Sequence, residues 1–386
     1  MTPAYYTPWR RWVALPLPLV LALTLGHPPR AQGQVMAPSA EAPGHGPYAG
    51  AVEESREVVA ERMTELGIPG FQVAVAREGR LLWSEGFGWA DVENRVPVST
   101  SSRFRIASIS KALTAGALGR LVERGDLELD EPIQTYLPRF PEKEWPVTTR
   151  LLAGHLGGIR HYRGNEFASA VRYTDVLDAL AIFEDDPLIH PPGSEYEYSS
   201  YGWNLISAVM QEADGRPFLE LMYEDVIYSL ELRSTVAEHT DSIIPHRARF
   251  YQRNGDGRLV NAPFVDNSLK WAGGGYLSTA EDMVAYGEAY LEGRFLQPET
   301  IREMWTSQRT TAGEEVGYGI GWMVREMGGR RVIMHTGGAM GGSTVLFLYP
   351  EEGVVVSILT NLESARHVDT ARTIADLFLT AAQDDR

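Results

Sequence analysis

No cysteine occurs among the 386 residues, which excludes thiolate nucleophiles, thiolate metal sites and disulfides. It does not exclude an oxidising compartment, because a chain this long can bury a core without such staples. Positive charge is also scarce. Thirty-five Lys and Arg stand against 51 Asp and Glu, a formal charge of −16, which argues against nucleic acid and anionic membrane surfaces as partners. The nine histidines contain no His-x-x-x-His pair enclosing a glutamate, so that metal-hydrolase pattern is missing. His155, His161, His239 and His246 read as structural or surface residues. The glycine runs at 273–275 and 317–321 match neither phosphate-loop nor dinucleotide spacing and read as turns beside a sheet. No Gly-x-Ser-x-Gly surrounds Ser343, which removes the α/β-hydrolase pattern. No apolar run reaches the roughly 20 residues needed to span a bilayer.

What is present begins with Arg10 and Arg11, followed by the apolar stretch 13–25 and small residues at Ala31 and Gly33. This reads as a signal peptide over 1–33 that directs the chain to the periplasm or outside the cell, with an uncleaved anchor as the competing reading and an organelle transit peptide as a third. An Ala/Pro/Gly-rich linker covers 34–50, and a single catalytic-type domain covers 51–386. Val52, Val59, Met63 and Leu66 fall at helical spacing before Gly67. Phe71–Ala76 and Leu81–Phe87 read as a hairpin. A buried helix follows Ser108 and stops at Gly125. Helical patterns then alternate with Pro/Gly loops as far as Met222. Strands are expected near 248–252 and over 318–324, 331–335, 343–349 and 354–360, with a last helix from about 367 to 382. The economical arrangement is an α/β (α+β) fold. One antiparallel sheet, built from both chain ends (about 51–105 and 248–386), is covered by the terminal helices beside a mostly helical lobe at about 106–247.

Ser108 and Lys111 stand three apart at a helix start, so both lie on one face. A lysine amine beside a serine hydroxyl can draw off its proton, and the positive end of the helix disfavours a charged lysine there. The same pattern also describes a capping serine before a solvated lysine. Tyr198 and Ser200 open a later amphipathic helix. Tyr198 is either an acid/base group tuned by Lys111 or a cleft-wall aromatic. His335-Thr336-Gly337-Gly338 ends a strand. It offers an edge for a peptide-like substrate and a backbone N–H for an oxyanion, or else a tight turn with His335 at the surface.

In order, Ser-x-x-Lys, Tyr-x-Ser and His-Thr-Gly resemble the motifs of the penicillin-recognising serine hydrolases, in the class C β-lactamase branch with its D,D-peptidases and esterases. Longer strings resemble the mitochondrial serine β-lactamase-like group of animals: 105–114, 140–144, 148–152, 158–162 and 265–275. The resemblance implies a β-lactamase/transpeptidase-like fold and acyl-enzyme chemistry on a small peptide, amide or ester, with no metal or cofactor and no stable membrane span after signal removal. It implies Ser108 as nucleophile, Lys111 as its proton acceptor and Tyr198 as the second acid/base group. Ser200, His335, Thr336 and Gly337 would contact substrate, and Gly338 with Ser108 would supply the oxyanion N–H groups. Two departures matter. Ser200 stands where the branch carries asparagine, and His335 stands where class C β-lactamases carry lysine. Both point away from efficient β-lactam breakdown and towards a peptidase or esterase.

Overall fold

The computed structural model describes residues 46–384, so the expected signal and most of the linker lie outside it. The chain enters through α1 (Ala49–Leu66), β1 (Gly70–Arg77), β2 (Arg80–Asp91), β3 (Val96–Pro97) and β4 (Phe104–Arg105), then α2 (Ile109–Arg124). The middle carries α3 (Thr149–Ala153), α4 (Ser200–Asp214), α5 (Phe218–Met222), β5 (Val236–Ala237), β6 (Tyr251–Arg253) and β7 (Leu259–Asn261). Then come α6 (Trp271–Gly274), β8 (Tyr276–Ser278), α7 (Ala280–Leu291) and α8 (Pro298–Met304). The last part is β9 (Met323–Met327), β10 (Arg330–Ala339), β11 (Gly342–Tyr349), β12 (Val354–Thr360) and α9 (Val368–Asp384).

Seven strands form one antiparallel sheet in the order β3-β2-β1-β12-β11-β10-β9. Side chains alternate along each strand, and here both faces are buried. Phe71, Val73, Val75, Val345, Phe347, Val356 and Ile358 share one apolar cluster with Val52, Val59, Ile374 and Phe378 of the two terminal helices. Ala74, Ala76, Leu346, Leu348, Val355 and Leu359 face the other way and join Met283, Val284 and Tyr286 of α7. That second cluster continues through α2 and α4, so sheet and helical lobe share one core. The expected architecture holds: a central antiparallel sheet covered by helices at both chain ends, with a helical lobe beside it. Among the described residues no helix is long and apolar enough to cross a membrane.

Two local expectations change. Residues 318–322 are not a strand; apart from an isolated bridge between Tyr318 and Met323 they turn, and β9 begins at Met323. Gly317 and Gly321 take φ of +67° and +76°, and Gly319 N–H donates to Trp322 O at 2.8 Å, so the chain reverses there. Between 127 and 199 only α3 is α-helical, the rest being loops and single 3₁₀ turns. Pro132, Pro138, Pro141, Pro187, Pro191 and Pro192 interrupt each helical run.

Under the β1–β2 turn, α7 presents Glu288, which is fully buried. One carboxylate oxygen accepts from Gly79 N–H at 2.6 Å, and the other has no partner among the described residues. Burial pushes its pKa up to about 7. The folded state therefore holds the proton more tightly than the unfolded chain does. Stability is greatest below the ordinary value of 4.5 and falls as pH rises through about 7. Glu288→Gln is expected to stabilise the protein by about 1–3 kcal/mol at pH 8 and by little at pH 4.5. Denaturant titrations at the two pH values check this.

Candidate active site

Strand β4 is held in line by Ile106 N–H donating to Tyr276 O at 3.0 Å. Ala107 then takes φ of +50°, unusual for a residue with a side chain, and the chain swings from strand to helix. Ser108 lands at the start of α2, half-buried, with helical φ of −67°. Two contacts pin this turn to the sheet. Thr344 Oγ1 donates to Ile106 O at 3.0 Å. Gly337 packs so closely that an added Cβ would lie 2.5 Å from Ile106 O and 2.9 Å from Ala107 Cβ. Gly337→Ala is therefore expected to push β10 away from the nucleophile turn. Reactivity at Ser108 should drop at least tenfold, with about 1–3 kcal/mol of destabilisation. Thermal melts paired with labelling rates test this, and unchanged labelling would show that the strand accommodates the methyl.

One turn on, Lys111 is fully buried. Its Nζ lies 3.1 Å from Ser108 Oγ, 3.1 Å from Ser200 Oγ and 2.8 Å from Gly273 O. Burial drives its pKa well below the usual lysine range, and the nearby charge of Lys270 adds to the effect. A neutral amine has two N–H groups and one lone pair. Gly273 O can only accept, so it takes one N–H. In the uncharged form the lone pair is available to the Ser108 or the Ser200 hydroxyl, both 3.1 Å away.

The start of α4 brings the next pair. Ser199 caps the helix by accepting from Gly202 N–H at 3.0 Å. Ser200 follows, almost fully buried. Burial raises the Tyr198 pKa above the ordinary tyrosine value, and the nearby Ser108 and Ser200 offset part of that rise. Burial raises the pKa of Tyr162 as well. Two histidines hold this helix start. His155 Nδ1 accepts from Ser199 N–H and His161 Nδ1 accepts from Ser200 N–H, both at 3.1 Å. Those bonds need Nδ1 unprotonated. Burial agrees, taking His155 well below its usual value and His161 down to about 4, in each case helped by the nearby Lys111. The His155 ring packs 4.2 Å from that of Tyr198. His155, buried, and His161, half-buried, thus hold the helix start as structural residues beside the site.

The far wall is β10. Beyond Met334 it loses β9 as a neighbour, so 335–339 form an open strand edge. The strand runs on to Ala339 and does not stop at the glycines. Thr336 is half-buried, Gly337 buried and Gly338 exposed. His335 is fully buried, which excludes the surface alternative. Its Nε2 meets the Tyr318 hydroxyl at 2.8 Å and its Nδ1 meets Thr336 O at 2.6 Å. Burial lowers its pKa to about 3, so it is neutral at physiological pH.

Ser108, Lys111, Tyr198 and Ser200 therefore converge, while the His335 ring is engaged behind them. The Gly273 carbonyl, Tyr162, His155, His161, Tyr318 and Lys270 were not assigned to the site from sequence. Four of them lie in the strings 158–162 and 265–275 or beside them, which is the signal that could have found them. Lys270 is nearly buried, donates to Phe167 O at 2.7 Å and sits 4.5 Å from that ring's centre. Burial takes its pKa down to about 8. Among the described residues no group of three or more His, Asp or Glu side chains is arranged to hold a metal ion.

Comparisons to known proteins place the fold in a family. A family profile described as Beta-lactamase matches residues 56–379. The Homo sapiens protein "Serine beta-lactamase-like protein LACTB, mitochondrial" is 35% identical, over 85% of this chain and 80% of its own length. An octameric penicillin-binding protein homologue from Pyrococcus abyssi superposes with a TM-score of 0.74 at 24% identity, covering 85% of this chain and 77% of that one. A D-amino acid amidase from Ochrobactrum anthropi SV3 gives a TM-score of 0.74 at 22% identity, covering 87% and 99%. The chain belongs to the beta-lactamase family, with the penicillin-binding-protein and class C type of serine-hydrolase fold.

Proposed function

We propose that the protein is an active-site serine hydrolase that cleaves an amide or ester through an acyl-enzyme on Ser108, most specifically a peptidase. The observation that carries this reading is the fully buried Lys111 amine, its pKa held well below the usual lysine range by burial, 3.1 Å from Ser108 Oγ. Lys111 takes the serine proton as Oγ attacks the substrate carbonyl. The N–H groups of Ser108 and Gly338 receive the oxyanion, at a helix start and an open strand edge. Tyr198, whose raised pKa keeps its proton in place, donates to the departing amine or alcohol. Water then releases the acyl group. The penicillin-binding-protein homologue and the D-amino acid amidase share the fold and are consistent with this chemistry.

A β-lactamase or D,D-carboxypeptidase is disfavoured, because neutral His335 offers a substrate carboxylate no charge. Arg10, Arg11 and the apolar stretch after them support export to the periplasm or beyond; protein recovered from cells with those arginines still attached would count against it. A fluorophosphonate probe tests the central reading. Wild type should carry one adduct, located at Ser108 by peptide mass spectrometry, and Ser108→Ala should carry none. An unlabelled wild type would instead indicate a non-catalytic binding or assembly protein on the same fold. Rapid turnover of a fluorescent penicillin would restore the β-lactamase reading.

A further inference from the structure

We propose that the cleft is closed on its leaving-group side and open on its acyl side, so that the protein trims one residue, or a group of that size, from the C-terminal end of a peptide chain. This names the substrate class for the active-serine reading above and rests on it. The edge of β10 is already partly occupied. β9 takes it as far as Met334, which pairs with Met323, and runs antiparallel to β10. A peptide laid along 335–339 continues that edge, in the sense the neighbouring strand has set. Its chain then runs from the Ala339 end towards His335. The acyl part lies by Gly338 and beyond, and the leaving part lies by Thr336 and His335.

The room on the leaving side is short. Gly337 sits against the Ser108 turn, with an added Cβ 2.5 Å from Ile106 O, so the cleaved carbonyl lies opposite Gly337 and Gly338. Residues 335–337 remain free before β9 begins, about 10 Å of edge. One extended residue takes about 3.3 Å, its end group a similar length, and contact with the strand already there about 3.5 Å. The segment before β9 shuts this end. Residues 318–322 reverse instead of running on past His335, and they pack into the floor of the site. An added Cβ on Gly321 would lie 2.5 Å from Ala115 Cβ and 3.0 Å from Lys111 O of α2. The Tyr318 hydroxyl holds His335 Nε2, and its ring lies 4.5 Å from that of His155 and 6.4 Å from that of Tyr196. These rings form an end wall, with Tyr196 as its exposed rim.

The acyl end has no such wall. Gly338 is exposed, and an added Cβ there would meet nothing within 4 Å among the described residues. Past it, the segment leading to Phe264 packs on the β10–β11 turn, where an added Cβ on Gly341 would lie 2.8 Å from Ala262 Cβ. Three loops are braced together there. Asp266 N–H donates to Ser169 O at 2.9 Å, Thr240 Oγ1 donates to Asp266 at 2.7 Å, and Arg172 pairs with Asp241. They carry Val171, Ile243 and Phe264 outward, each more than half exposed. Apolar side chains held in solvent on braced loops suit the apolar parts of a longer acyl chain.

Depsipeptides test this, because a single ester in place of one amide makes the broken bond chemically the same in every member. Alanine chains of the L and the D series, acetylated at one end, carry one to three residues on either side of the ester. They end in a carboxamide, since neutral His335 offers a carboxylate no charge. With two acyl residues, kcat/KM is expected to fall at least about 50-fold as the leaving part grows from one residue to three. With one leaving residue, lengthening the acyl part from one residue to three should raise kcat/KM about two- to fivefold. Tyr196→Ala trims the rim of the end wall. It should keep the wild-type rate of fluorophosphonate labelling and recover about fivefold on the three-residue leaving part. Equal rates for one and three leaving residues would overturn the closed end. So would a wild type that labels at Ser108 but hydrolyses no member of either series. Failure of Ser108 to label at all would overturn the serine-hydrolase reading itself, and the trimming role with it.

Discussion

Lys111→Met is expected to slow acylation of Ser108 by about a thousandfold or more while leaving the fold intact. Two features set the size of the effect. The amine lies 3.1 Å from Ser108 Oγ, and its other contacts are Ser200 Oγ and the Gly273 carbonyl. Its full burial means methionine can fill the same tunnel without breaking an ion pair, so any loss reports chemistry more than stability. Lys111→Arg should be equally slow, because a guanidinium stays charged and has no lone pair to offer. The pH profile supplies an independent check. Activity should rise as Lys111 loses its proton, and its lowered pKa puts that rise far below the usual lysine range. Lys270→Met removes a neighbouring positive charge, so the Lys111 pKa should climb and the acidic limb should move to higher pH. Stopped labelling assays across pH, for wild type and the three variants, measure all of this. A Lys111→Met enzyme within tenfold of wild type would rule out Lys111 as the base.

Glu238→Ala is expected to cost about 3–5 kcal/mol of stability, the largest loss from any single change considered. Arg105 and Glu238 form a buried, forked ion pair, with Nε to Oε2 at 2.8 Å and Nη2 to Oε1 at 2.9 Å. The same guanidinium donates to Met340 O at 2.6 Å and lies 4.1 Å from the centre of the Phe250 ring. Asn267 donates to Glu238 as well. One charge pair therefore ties the strand entering the Ser108 turn, the β10–β11 turn and the segment leading to Gly273. Removing the carboxylate strands a buried cation at that junction. Replacing both partners by methionine should recover most of the stability, because the isolated charge goes too. Urea titrations of the single and double variants measure this. A cost below about 1 kcal/mol for Glu238→Ala would mean that water reaches Arg105 and the pair is not truly buried.

The sheet and the nucleophile helix were legible because their signals are local. Short, near-continuous apolar runs over 343–349 and 354–360, rich in β-branched and aromatic residues and joined by a short turn, have few competing structures. Ser108 and Lys111 share a helix face whatever the rest of the chain does. The placing of the two histidines beside the site was not legible. His155 and His161 accept hydrogen bonds from Ser199 and Ser200, far along the chain, through loops that carry no periodicity. The Gly273 acceptor is a backbone carbonyl, and no residue type marks its position. At His335 the residue type pointed to the strand edge, but the ring's direction depends on Tyr318, which lies in a glycine-broken turn that reads like a strand.

The sheet joins the two ends of the chain, with Phe71 of β1 opposite Thr360 of β12. During synthesis the N-terminal hairpin is made early, yet its permanent neighbour emerges almost last. Until then, Val73 and Val75 have β2 and α1 beside them but neither β12 nor α9 to complete their cover. The loop closed by this pairing is nearly the whole domain, so ordering is slow and cooperative at the end of translation. A truncation that removes β12 and α9 would therefore leave an exposed, strand-forming apolar hairpin, the kind of segment that chaperones retain and that aggregates when they do not.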